Sequence, residues 1–247
     1  MFAIMESLLG VSVNPGMFFW GIGIIVAQIY YQIFGKKYGY KWYQSLLLGL
    51  LFLTFEMIGA KILYIVENMD YVIKNGIRFS GFSFFGIMFS VPILVFLFSK
   101  CIKNKCGQLL DFASVGILFE LSCYRIGCFF EGCCGGILIG NVQVPVQLIE
   151  AVLDVIMGVL LIVLYAKNKL KTGEQYLLYM SGYGVIRFIL EFMRLRNVIF
   201  LGMSLSHIWA LIAAITGITV LVLKRKKSIL ESDICNTDSN SLLDNIE

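Results

Sequence analysis

Charge is scarce in this 247-residue sequence: Asp, Glu, Lys and Arg make up 15% of it, against 59% apolar residues. Soluble domains run at about 25% charged and about 45–50% apolar, so an ordinary water-soluble globule is excluded. So much apolar side chain with so little charge also excludes a disordered chain. Proline occurs three times, which leaves no Pro-rich linker, and histidine once, at His207. A net charge of +4 is too weak to point to nucleic acid. The first sixteen residues contain Glu6 and lack a basic start, so they do not read as a signal peptide and are expected to be retained. No half-to-half repeat of the kind common in transporters is visible.

What is present is a series of apolar stretches. Seven run from Met17 to Phe34, Gln44 to Val66, Phe82 to Ser99, Leu109 to Phe130, Val146 to Ala166, Gln175 to Met193 and Gly202 to Leu223. Each suits a helix crossing a hydrocarbon core of about 30 Å. Runs such as Leu46–Leu53 and Ile156–Leu164 do not alternate as barrel strands do. The expected fold is therefore all-α, a polytopic bundle of seven transmembrane helices. Thirteen basic residues fall in alternate connections: Lys36, Lys37, Lys41, Lys100, Lys103, Lys105, Lys167, Lys169, Lys171, Lys224, Arg225, Lys226 and Lys227. The other connections hold four, Lys74, Arg78, Arg194 and Arg196. The richer set is expected to face the cytoplasm, with the N-terminus outside and the C-terminus inside. Residues 1–227 form the membrane unit; the acidic segment 228–247 reads as a short disordered tail.

Four of the seven cysteines, Cys123, Cys128, Cys133 and Cys134, lie at the outer end of the fourth stretch. Packing as small apolar side chains, a disulfide and reactive thiols are all open readings; the spacing is a poor match to zinc frameworks. Cys101, Cys106 and Cys235 fall on the cytoplasmic side and are expected to be reduced.

Ionisable groups inside a span cost about 2.5–3.5 kcal/mol each on insertion scales, so each is a functional candidate. They are Glu56, Lys61, Asp111, Glu120, Arg125, Glu150, Asp154, Arg187 and Glu191. Glu150 and Asp154, one turn apart, read as a polar stripe facing the interior. In the sixth stretch Tyr183, Arg187 and Glu191 are spaced four apart and share one helix face. An Arg187–Glu191 pair can simply make two membrane charges tolerable, or Glu191 can hold a guanidinium aimed at a phosphate. Arg125 sits a turn inside the end of the fourth stretch, followed by Gly127, Gly132, Gly135 and Gly136. A second glycine-rich corner, FSGFSFFG with Gly86, opens the third stretch. Two such corners and two intramembrane arginines suggest a site for an anionic group, a lipid phosphate being the obvious one.

These residues carry a resemblance. GAKILY, FSGFSFFG, YRIGCFFEGCCGG, PVQLIEA, YGVIRFILEFMR and GMSLSHI occur in this order between Met17 and Leu223, and the ordered set resembles the prolipoprotein diacylglyceryl transferases of bacterial cytoplasmic membranes. The resemblance implies an enzyme that moves the diacylglyceryl group of phosphatidylglycerol to a lipobox cysteine of a prolipoprotein signal peptide, without a cofactor or metal. It implies catalytic roles for Arg125, Arg187, Tyr183 and Glu191, and substrate contacts at Lys61, Gly86, Gly127, Glu131, Gly132, Gly136 and His207. The pattern also departs from the family's. Phe85 stands where the family has its usual His, Cys128 and Glu131 replace two Asn, Cys133 replaces a Glu, Lys61 an Arg and His207 a Gln. Phe85 cannot take a proton, so the base is either dispensable or replaced, with Glu131 and Tyr183 the nearest candidates, or the chain is a divergent paralogue. The readings left beside the transferase are another thiol or lipid-headgroup reaction at the cysteine cluster, or lipid binding without catalysis.

Overall fold

A computed structural model describes residues 14–76, 82–102, 106–194 and 203–243. Glu6, Arg78, Phe79, Ser80, Gly81, Lys103, Lys105, Arg196 and Gly202 lie outside the described residues, as do the side chains of Cys101 and Cys235. The order is α1 (Pro15–Gly35), a 3-10 turn (Lys36–Tyr38), α2 (Trp42–Glu67), α3 (Met69–Asn75), α4 (Phe84–Ile102), α5 (Cys106–Phe130), β1 (Leu138–Ile139), β2 (Val142–Gln143), α6 (Val146–Ala166), α7 (Glu174–Glu191) and α8 (Leu205–Leu243). The protein is a helical membrane bundle. Among the described residues α1, α2, α5, α6 and α8 are long and apolar enough to cross a bilayer unaided, and Phe84–Lys100 is a shorter apolar helix. α7 is diluted by the polar groups that the sequence places in its sixth stretch. The two-residue hairpin of β1 and β2 was not expected; it pairs Leu138 with Gln143 and Ile139 with Val142. α8 continues to Leu243, past the change of composition after Lys227.

Local signals start the first helix: Asn14 accepts a hydrogen bond from Met17 N at 2.9 Å, and Pro15 occupies the first turn, where its missing N–H costs nothing. α5 is the central helix; Phe112, Ala113, Val115 and Leu118 are fully buried. Helices in lipid gain no hydrophobic drive from meeting one another, so close backbone approach at small residues sets the packing. A Cβ on Gly127 of α5 would come within 2.9 Å of Gly16 Cα of α1. One on Gly184 of α7 would come within 2.7 Å of Ala214 N of α8. The outward faces are apolar, as with Ile25, Ile29 and Ile33 on α1 and Val152, Ile156 and Val159 on α6.

The end of α7 that holds Gly173 is locked by hydrogen bonds. Asp111 of α5 accepts from Gly173 N at 2.5 Å and Tyr176 N at 3.0 Å, filling the bare N–H groups of a helix start. Gln175 donates to Asp111 O at 2.9 Å and to Ser114 Oγ at 3.3 Å, and accepts from the Tyr38 hydroxyl at 3.0 Å. Glu174 accepts from Lys171 N at 3.1 Å and from both Nε (3.1 Å) and Nη2 (3.0 Å) of Arg225, while Lys224 Nζ donates to Thr172 O. Glu56 of α2 and Glu120 of α5, both buried, lie within hydrogen-bonding reach of each other.

Candidate active site

The opposite end of α7 gathers most of the remaining intramembrane charge around Glu150 of α6, which is fully buried. Its Oε1 accepts from the Tyr183 hydroxyl at 3.0 Å. Arg125 Nε lies 3.0 Å from the same oxygen, close enough for an ion pair but off the line of a hydrogen bond. The Arg125 guanidinium also reaches the Tyr183 hydroxyl. The other oxygen, Oε2, accepts from Arg187 Nη1 at 3.2 Å and Arg194 Nη2 at 2.7 Å. Three guanidinium groups from α5, α7 and the turn after α7 thus converge on one carboxylate.

Arg187 Nη2 pairs with Glu191 Oε2 at 2.8 Å. Glu191 Oε1 accepts from Ser204 Oγ at 2.8 Å. Ser204 N in turn donates to His207 Nδ1 at 3.0 Å, which makes Nδ1 an acceptor and leaves the ring proton for Nε2. His207 therefore closes the first turn of α8, its ring tilted against that of Phe192 with centroids 4.4 Å apart. Ser204 lies within the GMSLSHI stretch, but the sequence singles out only His207 there.

Arg194 reaches the cluster because the chain folds back after α7. Its backbone bridges Gly136, and Ile137 N donates to Met193 O at 2.8 Å. Gly136 is needed there: a Cβ would lie 2.6 Å from Val144 O and 2.9 Å from Met193 O. The sequence puts Arg194 near the outer surface, yet its side chain is wholly buried. Tyr124, Phe129 and Phe130 remain exposed at the same end.

Cys128, Cys133 and Cys134 form the adjoining corner, their thiols within hydrogen-bonding reach of one another. Cys128 is buried, and all described cysteines are free thiols. Burial and the neighbouring Cys134 thiol push the Cys133 thiol up to about 11. Gly132 and Cys134 take left-handed backbone conformations, φ +69° and +59°. Gln147 of α6 holds the corner by donating to Cys133 O at 2.6 Å. Glu131, exposed at the rim, accepts from Gly16 N at 3.3 Å and faces the Cys133 thiol at 3.6 Å. Cys123 stands apart, on the face of α5 turned to Gly23 of α1.

Other candidates are elsewhere. Lys61 lies over the rings of Tyr64 and Phe82, 5.1 and 5.3 Å from their centroids. Gly86 packs on Gly59 and Ala60 where α4 crosses α2, and Gly127 packs on Gly16. Phe85 is buried with its ring 6.3 Å from that of Tyr183, so an apolar wall stands beside the cluster.

Fold and site together define a multi-pass helical membrane protein with a buried, guanidinium-rich cluster at one end of its bundle. The chain belongs to the prolipoprotein diacylglyceryl transferase family, whose profile matches residues 9–223. It is similar to the phosphatidylglycerol–prolipoprotein diacylglyceryl transferase of Clostridium tetani, with 28% identity over 193 residues, 70% of this chain and 77% of that protein. The protein of that name from Streptococcus mutans is 24% identical over 193 residues, 69% of this chain and 74% of that protein. A protein named as the second such transferase of Clostridium perfringens is 27% identical over 214 residues, 77% of this chain and 82% of that protein.

Proposed function

We propose that this chain is a phosphatidylglycerol–prolipoprotein diacylglyceryl transferase of a bacterial cytoplasmic membrane. The lipobox cysteine of a prolipoprotein signal peptide attacks the glyceryl carbon of phosphatidylglycerol. A C–S bond forms, the C–O bond to phosphate breaks, and glycerol phosphate leaves, with the thiol proton ending on its phosphate. The observation that carries this reading, within the family, is the convergence of Arg125, Arg187 and Arg194 on Glu150. Fixed guanidinium donors in a water-poor site stabilise charge that builds on a leaving phosphate. Arg125 and Arg187 take the phosphate, Glu150 and Glu191 hold them in place, and Tyr183 orients both ends of the Arg125–Glu150 contact. The thiols of Cys128, Cys133 and Cys134, with Gly132, Gly136 and the rim carboxylate Glu131, line the approach to the phosphate.

Seven crossings with an external N-terminus complete the reading. The thirteen basic residues in alternate connections support it, and α4 and α7 supply the two crossings beyond the five helices that qualify by apolarity. Residues 1–227 are the transferase unit and 228–247 a separate tail. The test is purified protein supplied with phosphatidylglycerol and a lipobox peptide. Glycerol phosphate is expected from the wild type and is lost in Arg125→Ala and Arg187→Ala. No release by the wild type, beside an active family enzyme, overturns the assignment. Rescue of a host depleted of its own transferase is the matching test in cells.

A further inference from the structure

One carboxylate near the cluster has no partner. Asp154 lies one turn from Glu150 on α6, fully buried, and neither of its oxygens accepts a hydrogen bond. Glu150 and Glu191 by contrast are held by guanidinium and hydroxyl donors. Leaving a buried polar group unsatisfied costs its full desolvation, and an apolar side chain would pack α6 better. A structural role therefore does not account for Asp154.

The charges around it suggest what does. Arg125 of α5, Arg187 of α7, Glu150 on its own helix and the hydroxyls of Tyr179 and Tyr183 are near enough to act on its charge. Arg194 completes the cluster through Glu150. Three guanidinium groups against two partnered carboxylates leave one positive charge. A phosphodiester carries one negative charge. So does an ionised Asp154.

We infer that Asp154 and the phosphate of the bound lipid compete for the single positive charge the cluster leaves uncompensated, so that lipid binding is coupled to protonation of Asp154. With the phosphate seated, an ionised Asp154 would add a second, unmatched negative charge in a medium that screens little. The proton that Asp154 takes up comes from solvent and returns there on release. Asp154 is in this sense a positioning residue: it tunes the anion site and does not touch the reacting atoms. The inference rests on the proposed lipid substrate.

The sign follows from linkage. Binding favours protonated Asp154, so affinity is highest at low pH and falls as pH rises and the free protein loses that proton. The experiment titrates dioleoyl phosphatidylglycerol in neutral-detergent micelles into the purified full chain between pH 5 and pH 9, where a phosphodiester stays monoanionic. The expected result is a loss of affinity of about tenfold across the range. Asp154→Asn, neutral at every pH, is expected to bind equally throughout and at the wild type's low-pH affinity. His207→Gln, which removes the other titratable group joined to Glu191, is expected to keep the slope. A direct measurement on the wild type guards against misfolding of the variant: binding in weak buffer at the high end of the range should take up a proton. Flat wild-type affinity, absence of proton uptake, or a slope that survives Asp154→Asn overturns the inference while leaving lipid binding in place. Failure of the wild type to bind phosphatidylglycerol at any pH overturns the proposed substrate as well.

Discussion

The two ends of α7 are built from the same materials and finished differently. At the Gly173 end, Asp111 is spent on backbone N–H groups and Glu174 on Lys171 N and Arg225. At the Arg187 end, Glu150 gathers three guanidinium groups, yet both oxygens of Asp154, Nε and Nη1 of Arg194 and Nε2 of His207 are buried without hydrogen-bond partners. A satisfied polar cluster fixes one structure; unsatisfied buried groups in a native protein call for another explanation, such as a catalytic role. The first end is a lock between α5 and α7. On the proposed function, the second is a receptor for a charged group.

The largest effect should come from Glu150, because all three guanidinium groups lean on it. Glu150→Gln leaves them facing one another with a neutral amide between them. Breaking a buried ionic group from one side costs about 3–5 kcal/mol, and transfer should fall about 100-fold or more as the donors lose their geometry. Thermal unfolding and glycerol phosphate release on one preparation measure both. Full activity in this variant would remove the distinction between the two ends.

Arg187→Lys sharpens the same point. It keeps the charge but cannot bridge Glu150 and Glu191 from one planar fork. Transfer should drop by about 10–100-fold with little change in thermal midpoint, because the charge balance of the cluster is kept. An equal loss of stability would mean that Arg187 serves the fold as much as the phosphate.

How far this contrast was legible in the sequence depends on whether it lies within one helix. Helical spacing puts Tyr183, Arg187 and Glu191 on one face, and these three do turn towards Glu150 and its neighbours. The central place of Glu150 was not legible, because its charge partners come from residues 25, 37 and 44 positions away, as Arg125, Arg187 and Arg194. Periodicity groups Glu150 with Asp154, but their surroundings are opposite: one accepts from several donors and the other from none. Arg194 reads as an outer-surface charge because the hairpin that folds it inward has strands of two residues, too short for a pattern. Asp111, Gln175 and Arg225 likewise lie far apart in the chain, so the lock at the other end is invisible until the helices pack.

That lock should fail in stability rather than in chemistry. Asp111→Asn replaces an acceptor of two backbone N–H bonds by an amide that keeps one oxygen. A loss of about 1–3 kcal/mol is expected, with turnover per folded molecule unchanged. A large loss of turnover at constant fold would place Asp111 in the active machinery and dissolve the contrast.

The smallest effect tests the outermost contact of the lock through pH. Burial raises the Glu174 carboxyl, but the hydrogen bonds from Arg225 and Lys171 N and the charge of Lys224 outweigh it and hold it below the usual glutamate range. A carboxylate depressed in the folded state contributes stability that is fully present above its unfolded pKa of about 4.3 and is lost as pH falls through the lower folded value. Arg225 is about half exposed, at 51%, so water screens the pair and the contribution stays below about 1 kcal/mol. The wild type should therefore lose a small increment of thermal midpoint between neutral pH and pH 4 that Glu174→Gln lacks. The transfer reaction at neutral pH should be the same in both. If Glu174→Gln reproduces the wild-type acid sensitivity in full, the pair adds nothing, and the backbone bonds to Asp111 close that end of α7 alone.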